Sequence, residues 1–243
     1  MKQARFYRES IETGRVELSP DQAHHLVNVL RMEPGQELEL FDGKGTVGRA
    51  IITNVKHKTV ELNVEDARTV PTRTSGRVII AVSIAKGRRF DWVITKCTEL
   101  GADHIAPVLF ERTVKLAQGA SVLARYNNLA LAATKQSGRV FLPKITAPVD
   151  LAGTLSALQK DYPKARLVFG TLNTEAKRIC TLPAVDEDII AFVGPEGGMT
   201  PEEQERLRAA GAAEVRLTDT TLRIETAAFA FAAILCANRD GSV

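Results

Sequence analysis

Two segments near the carboxyl end hold the residue types and spacings with the most chemical promise. The apolar run IIAFV (189–193) stops at Gly194-Pro195-Glu196-Gly197-Gly198. Thr200-Pro201-Glu202-Glu203 follows, with capping-box spacing and proline at the first helical position. This order predicts a strand, a glycine loop and a helix start, which is where open α/β sheets bind ligands. Gly194, Gly197 and Gly198 permit close backbone approach and positive φ angles. The loop matches neither the dinucleotide nor the Walker phosphate-loop spacing. Taken alone, it also reads as an ordinary tight strand-to-helix turn.

The second segment, LTDTTLRIETAAFAFAAILCA (217–237), sets Thr221, Arg223, Glu225 and Thr226 just ahead of a nearly all-apolar helix. Such a helix demands burial in a core or against another subunit. Arg223 and Glu225 at its start are costly to bury without partners, and a structural ion pair is the plain alternative to a catalytic role.

These segments need a scaffold, and the chain changes rhythm in a way that supplies one. Residues 1–70 read as a small β-rich module: ELELF (37–41), an Asp-Gly turn, TVGRAIITNV (46–55) and TVELNVED (59–66) alternate as hairpin strands do. One amphipathic helix follows Pro20, with Ala23, Leu26, Val27 and Leu30 at helical spacing. Residues 67–76 look like a linker. Beyond it, strands are expected at 77–84, 104–110, 165–169, 189–193 and 214–217, and helices at 90–100 and 121–137. Strand and helix in alternation predict an α/β domain with a mostly parallel sheet over 71–243.

Composition sets outer limits. A chain of 243 residues with 44% hydrophobic and 25% charged residues is globular rather than disordered or fibrous. Cys97, Cys180 and Cys236 are odd in number and far apart, which argues against a disulfide framework or a zinc knuckle and fits a reducing compartment. With no apolar leader run at the start, a cytoplasmic protein is expected. Net charge is +3, but its distribution is uneven: −1 over residues 1–70, +7 over 71–150 and −3 over 151–243. The basic middle third fits a surface that faces a polyanion.

Several residues compete for roles. Lys86, Arg88 and Arg89 form a cationic turn after a strand, and with Arg112, Lys135 and Arg139 they are assigned to RNA phosphates. Arg5 and Arg8 beside Phe6 and Tyr7 are added to that surface. His24-His25 is read as a structural pair rather than metal ligands, and Phe90 and Trp92 as core. No metal site is expected.

GPEGG, followed some twenty residues later by a leucine and LRxETA, resembles the carboxyl-terminal signature of the SPOUT methyltransferases. The resemblance is closest to the branch that methylates N3 of a uridine in small-subunit (16S) ribosomal RNA. RFY (5–7), HHLVNVLRMEPGQELELFDGKG (24–45), AKGRRFDWVITKCTELGADHIAPVLFERTV (85–114) and KQSGR (135–139) agree with it in order. The resemblance implies a PUA-like RNA-binding domain over 1–70 and a trefoil-knotted methyltransferase domain over 71–243. It also implies S-adenosylmethionine as methyl donor, ribosomal RNA as partner and a homodimer.

Carried over, the donor site comprises Phe169, Gly170 and Thr171, then Gly194, Pro195, Glu196, Gly197 and Gly198, then Leu217, Thr218, Leu222 and Thr226. Where the family usually has glycine after the leucine, this chain has Thr218, whose side chain would crowd the adenosine or reshape the loop. Arg223 is assigned to stabilising negative charge on the uracil, and Glu225 to orienting it or taking the proton. Two other classes stand beside this one. A non-catalytic RNA-binding or ribosome-assembly protein on the same fold is motivated by Thr218. A nucleotide-binding metabolic enzyme lacks the phosphate-loop motifs it would need.

Overall fold

The structure, a computed structural model, describes residues 3–56, 59–113, 119–182 and 186–241. Val114 and residues 57–58 of the expected hairpin lie outside the described residues. The chain forms two compact units. The first comprises residues 1–72 together with 134–142, and the second residues 73–133 together with 143–243. The returning segment 134–142 extends the amino-terminal module beyond its expected span of 1–70.

In the first unit, β1 (Arg5–Tyr7), β2 (Gly14–Glu17), β3 (Glu37–Phe41), β4 (Thr46–Lys56) and β5 (Thr59–Thr69) form one sheet in the order β1-β3-β4-β5-β2. Alternate residues of β3 to β5, among them Leu38, Leu40, Ala50, Ile52, Leu62 and Val64, meet Phe6 and Leu26 in a single core. The expected linker is partly strand, since β5 runs on to Thr69. The expected helix is short: α1 (Pro20–His24) passes into a π-turn over His25–Val29, and Arg31 takes φ 53°. Ala23 and Leu26 are buried, while Leu30 is exposed.

Arg5 does not face solvent. Its guanidinium donates to the carbonyl oxygens of Thr134 and Arg139, ion-pairs with Glu39 at 2.5 Å and lies over the Phe41 ring. A planar fork with all three nitrogens engaged is a tie within the unit rather than a hand held out to RNA. Lys135 lies 4.5 Å from the Phe6 ring centroid, and burial lowers its pKa. Arg8 donates to the carbonyl of Glu17.

The second unit contains a wholly parallel sheet. It is built from β6 (Val78–Ser83), β7 (His104–Leu109), β8 (Lys144–Ile145), β10 (Arg166–Gly170), β11 (Lys177–Arg178), β12 (Ile189–Val193) and β13 (Ala213–Arg216), with β9 (Val149–Asp150) beside β7. The order is β11-β13-β10-β12-β6-β7-β8. Every residue of β6 and of β12 is buried, as expected of strands covered on both faces. Val78, Ile80 and Val82 point to one core, and Ile79 and Ala81 to the other. The first core takes in α2 (Arg88–Leu100) and α6 (Ile224–Asp240). The second takes in α4 (Leu151–Asp161) and α5 (Pro201–Ala209). Helix α3 (Ala120–Ser137) contributes Tyr126 and Ala130 to the first core, and its last turn belongs to the amino-terminal unit.

Phe90 is core, stacked obliquely on Tyr126. Trp92 is not: it is 59% exposed. The inward stripe of α2 is Phe90, Val93, Ile94, Cys97 and Thr98, and Trp92 stands about 200° around the helix from Phe90.

The amino-terminal ends of the parallel strands carry a polar network. Arg77 grips Asp188 with its backbone N–H and its guanidinium, and stacks over Tyr162. Asp103 accepts from the Val78 N–H and from Arg239. His104 is buried, with Nδ1 3.1 Å from the Tyr162 hydroxyl and Nε2 3.4 Å from the Thr146 hydroxyl. Burial pushes its pKa down to about 4, and the nearby Lys144 ammonium adds to the effect.

The unfolded chain therefore takes up a proton near pH 6.5 that the folded protein refuses until about pH 4, so stability falls as pH falls through that window. The loss should approach roughly 3 kcal/mol across the window, at 1.36 kcal/mol per pH unit. Urea unfolding of wild type and His104→Gln between pH 7 and pH 4.5 checks this. The wild type should show the steeper loss, and equal slopes would remove His104 as the cause.

Candidate functional site

Strands β10, β12 and β13 run in one direction, so the chain leaves all three at the same edge of the sheet. The loops that follow, with the first half of α6, enclose a cavity of about 460 Å³. Gly170 and Thr171 form one wall, Gly194 to Gly198 a second, and Leu217, Thr218 and Leu222 a third. Ten of the twelve residues expected in the donor site are thereby brought together. The exceptions are Phe169 and Thr226. Phe169 is the last inward side chain of β10 and packs in the second core, with Arg208 over its ring. Thr226 is exposed and does not line the cavity.

Sequence reasoning missed Asn173, Val193, Met199, Gln204, Ala227 and Phe231, which also line the cavity. Ile224, Ala227 and Phe231 follow i, i+3, i+7 spacing, so the helical period of α6 was the signal that could have found them. Asn173 and Gln204 had no signal beyond lying close to a strand end or a helix start.

The three glycines do different jobs. Gly198 alone has a positive φ, +74°, and its N–H closes a four-residue turn onto the carbonyl of Pro195. Gly194 makes room: a Cβ there would stand 2.8 Å from Met199 Cγ. At Gly197 the Cβ would meet only the stem of Arg112, at 3.4 Å. The expectation that all three serve close approach or positive φ is corrected accordingly.

Helix α5 starts with a complete capping box. The Thr200 hydroxyl accepts from the Glu203 N–H, and Glu203 Oε2 accepts from the Thr200 N–H. The second oxygen of Glu203 accepts from the Glu111 N–H at 2.7 Å, tying the turn after β7 to the glycine loop's helix. Arg112, in that same turn, donates to the carbonyl of Gly197 at 2.8 Å, and Arg89 ion-pairs with Glu196. Lys86 and Arg88 are exposed beside them.

The third wall is fixed differently. The Thr218 hydroxyl turns back to the Thr220 carbonyl at 2.9 Å, and Asp219 is held by Arg178 and Arg216, which keep its carboxyl below the usual range. Thr218 therefore lines the cavity with its hydroxyl engaged by its own loop.

Arg223 and Glu225 are not brought together. Arg223 is the exposed residue that precedes α6 and makes no side-chain cap. Glu225 is 5% exposed, lies in the first turn of α6 away from the cavity lining, and its Oε2 has no hydrogen-bond partner. A carboxylate in a first turn complements the helix dipole, which gives Glu225 a structural role. Among the described residues, Glu196 is the one ionisable side chain of the lining, and no trio of His, Cys, Asp or Glu could hold a metal. No helix among them is long and apolar enough to cross a membrane.

Comparison with known proteins agrees with this geometry. Residues 72–236 match a family described as the RNA methyltransferase domain, and residues 18–65 match the RNA methyltransferase PUA domain. A ribosomal RNA small subunit methyltransferase E from Synechocystis is 32% identical over 225 residues, 90% of this chain and 72% of the relative. The enzyme of that name from Neisseria gonorrhoeae, in a crystal structure bound to S-adenosyl methionine, is 31% identical with a TM-score of 0.84 over 96% of each chain. A Legionella pneumophila protein described as a methyltransferase in complex with the same cofactor is 29% identical with a TM-score of 0.85 over 98% of each chain. With the family match covering every strand of the parallel sheet, and a relative aligned over nine tenths of the chain, the protein belongs to the small-subunit ribosomal RNA methyltransferase E family of RNA methyltransferases.

Proposed function

We propose that the protein is a cytoplasmic homodimer that transfers a methyl group from S-adenosylmethionine to N3 of a uridine in small-subunit ribosomal RNA. The cavity at the carboxyl ends of β10, β12 and β13 carries this reading. It falls in the size range of small-molecule sites, and its apolar walls with a few polar groups suit an adenosine and an amino acid tail. Leu217, Leu222 and Ile224 offer apolar surface to a base, while Asn173, Gln204 and loop backbone groups offer hydrogen bonds. The bound donor supplies an electrophilic methyl on a sulfonium, which needs no metal.

The protein's contribution is alignment, which can supply several kcal/mol of the barrier. Uridine N3 must lose its proton to attack, so a cation beside the uracil oxygens favours the reactive anion. Arg223, exposed at the start of α6 and next to the cavity residues Leu222 and Ile224, is assigned that role. Glu225 is too buried to meet the uracil, and proton removal is not assigned to it.

Lys86 and Arg88 are assigned to RNA phosphates, with Arg8, Lys135 and Arg139 of the amino-terminal unit as further cations. The target base must leave its stack to reach a donor in this cavity. The dimer reading is supported by α6, which buries Ala228, Phe231, Ala232 and Leu235 yet leaves Phe229, Ala230 and Ile234 only half covered. Trp92 and Leu100 of α2 add exposed apolar surface.

Nucleoside mass spectrometry of ribosomal RNA from a deletion strain tests the substrate. Loss of 3-methyluridine, restored by the wild-type chain and poorly by Arg223→Ala, is expected; its persistence refutes the assignment. Calorimetry with S-adenosylhomocysteine tests the donor loop. Gly194→Ala drives Met199 into the cavity and should weaken binding roughly tenfold, a change of about 1.4 kcal/mol. Gly197→Ala should bind nearly as the wild type does, and equal losses would contradict the roles given to these glycines. Sedimentation at micromolar concentration should show a dimer, and a monomer would end the homodimer reading.

A further inference from the structure

The glycine loop is held from outside the cavity by two arginines that come from separate segments. Arg89, the second residue of α2, pairs with the Glu196 carboxylate. Arg112 donates from Nη1 to the carbonyl of the next residue, Gly197. Its stem lies along that residue, with Cδ 3.4 Å from where a Cβ would stand. Within the loop itself, the Gly198 N–H to Pro195 carbonyl bond is the one internal tie. A segment with three glycines in five residues loses much conformational entropy when it is ordered. Unless something holds it beforehand, ligand binding must bear that cost.

We infer that Arg89 and Arg112 are positioning residues of the donor site, which fix the glycine loop in its receptive shape before any RNA arrives. The inference rests on the donor reading of the cavity given above. Composition alone assigns both arginines to RNA phosphates. Their heads, however, are aimed at consecutive loop residues, and charge-assisted bonds are the stronger kind. A single exposed pair contributes little. Two anchors on adjacent residues of a four-residue turn restrain it more than either would alone.

The test is calorimetry with S-adenosylhomocysteine and no RNA present. Arg89→Ala and Arg112→Ala should each weaken binding roughly fivefold, the scale of one surface charge-assisted bond. Glu196→Gln should match Arg89→Ala, and the Arg89→Ala/Glu196→Gln double variant should be no worse than either single change. Arg112→Lys, whose ammonium can donate to the same carbonyl, should recover part of the loss. Arg125→Ala removes an exposed cation paired with Asp91 and should leave donor affinity unchanged.

With saturating ribosomal RNA, the arginine variants should raise KM for the donor more than they lower kcat. Wild-type affinity in folded Arg89→Ala and Arg112→Ala proteins overturns the inference, as does an equal loss in Arg125→Ala. If the wild type itself does not bind S-adenosylhomocysteine, the donor reading fails first and this inference falls with it.

Discussion

Parallel pairing of β10, β12 and β13 is the constraint on which everything else depends. Because Val168 lies opposite both Ala191 and Ala213, and Phe169 opposite Phe192 and Glu214, the three strands end level with one another. Three chain segments that are distant in sequence must then turn at one edge, within reach of a single ligand. Parallel strands cannot be joined by tight hairpins, so the turns after β10 and β12 lead into crossovers, and the turn after β13 leads into the last helix, α6. Helices α5 and α6 begin close behind two of those turns. The cavity is thus a consequence of strand direction, and the loop sequences only determine its lining.

The two edges of this sheet divide the work. At the amino edge, Arg77, Asp188, Asp103, Arg239, His104 and Tyr162 are engaged in ion pairs, hydrogen bonds and ring contacts with one another and with neighbouring groups. Buried groups paired in this way fix register and leave nothing for a ligand. At the carboxyl edge the polar groups are partly exposed and held from behind, by Arg89 and Arg112 on the glycine loop and by Glu214 on Asn173, while Glu203 ties the start of α5 to the turn after β7. Charged side chains there hold the loops whose backbone and apolar side chains face the cavity.

Much of this was legible in the sequence, for reasons that can be named. IIAFV followed by glycines and a capping box specifies strand, turn and helix through strong local signals, and all three appear where expected. The β3, β4 and β5 strands were equally clear from their alternation. Helix α4 went unread because LAGTLSALQKD is short and carries a glycine, and its start depends on the Asp150 side chain accepting from the Gly153 N–H. The return of residues 134–142 to the amino-terminal unit had no local sign, since it is held by Arg5, 129 residues away from Thr134. Trp92 was misplaced because counting apolar residues does not reveal which side of α2 faces inward. The individual duties of Gly194, Gly197 and Gly198 depend on Met199, Arg112 and local φ, none of which a glycine count contains.

The third cavity wall shows how a loop without glycine can still be given one shape. In the pairing of β11 with β13, Arg178 stands directly opposite Arg216, an arrangement of like charges that opposes strand pairing. Asp219 resolves it by accepting from Arg178 with both oxygens, at 2.9 and 2.8 Å, and by ion-pairing with Arg216 at 3.0 Å. The carboxylate that neutralises the sheet edge is therefore also the anchor of the loop. With Asp219 fixed there and the Thr218 hydroxyl turned onto Thr220, the chain between Leu217 and Leu222 is constrained at two successive residues. A side chain at position 218 then costs no wall: its hydroxyl is satisfied within the loop, and the residue still lines the cavity. Pairing of the edge strand and the form of the donor wall thus depend on the same carboxylate, so the electrostatics of the sheet's last strand set the shape of the site.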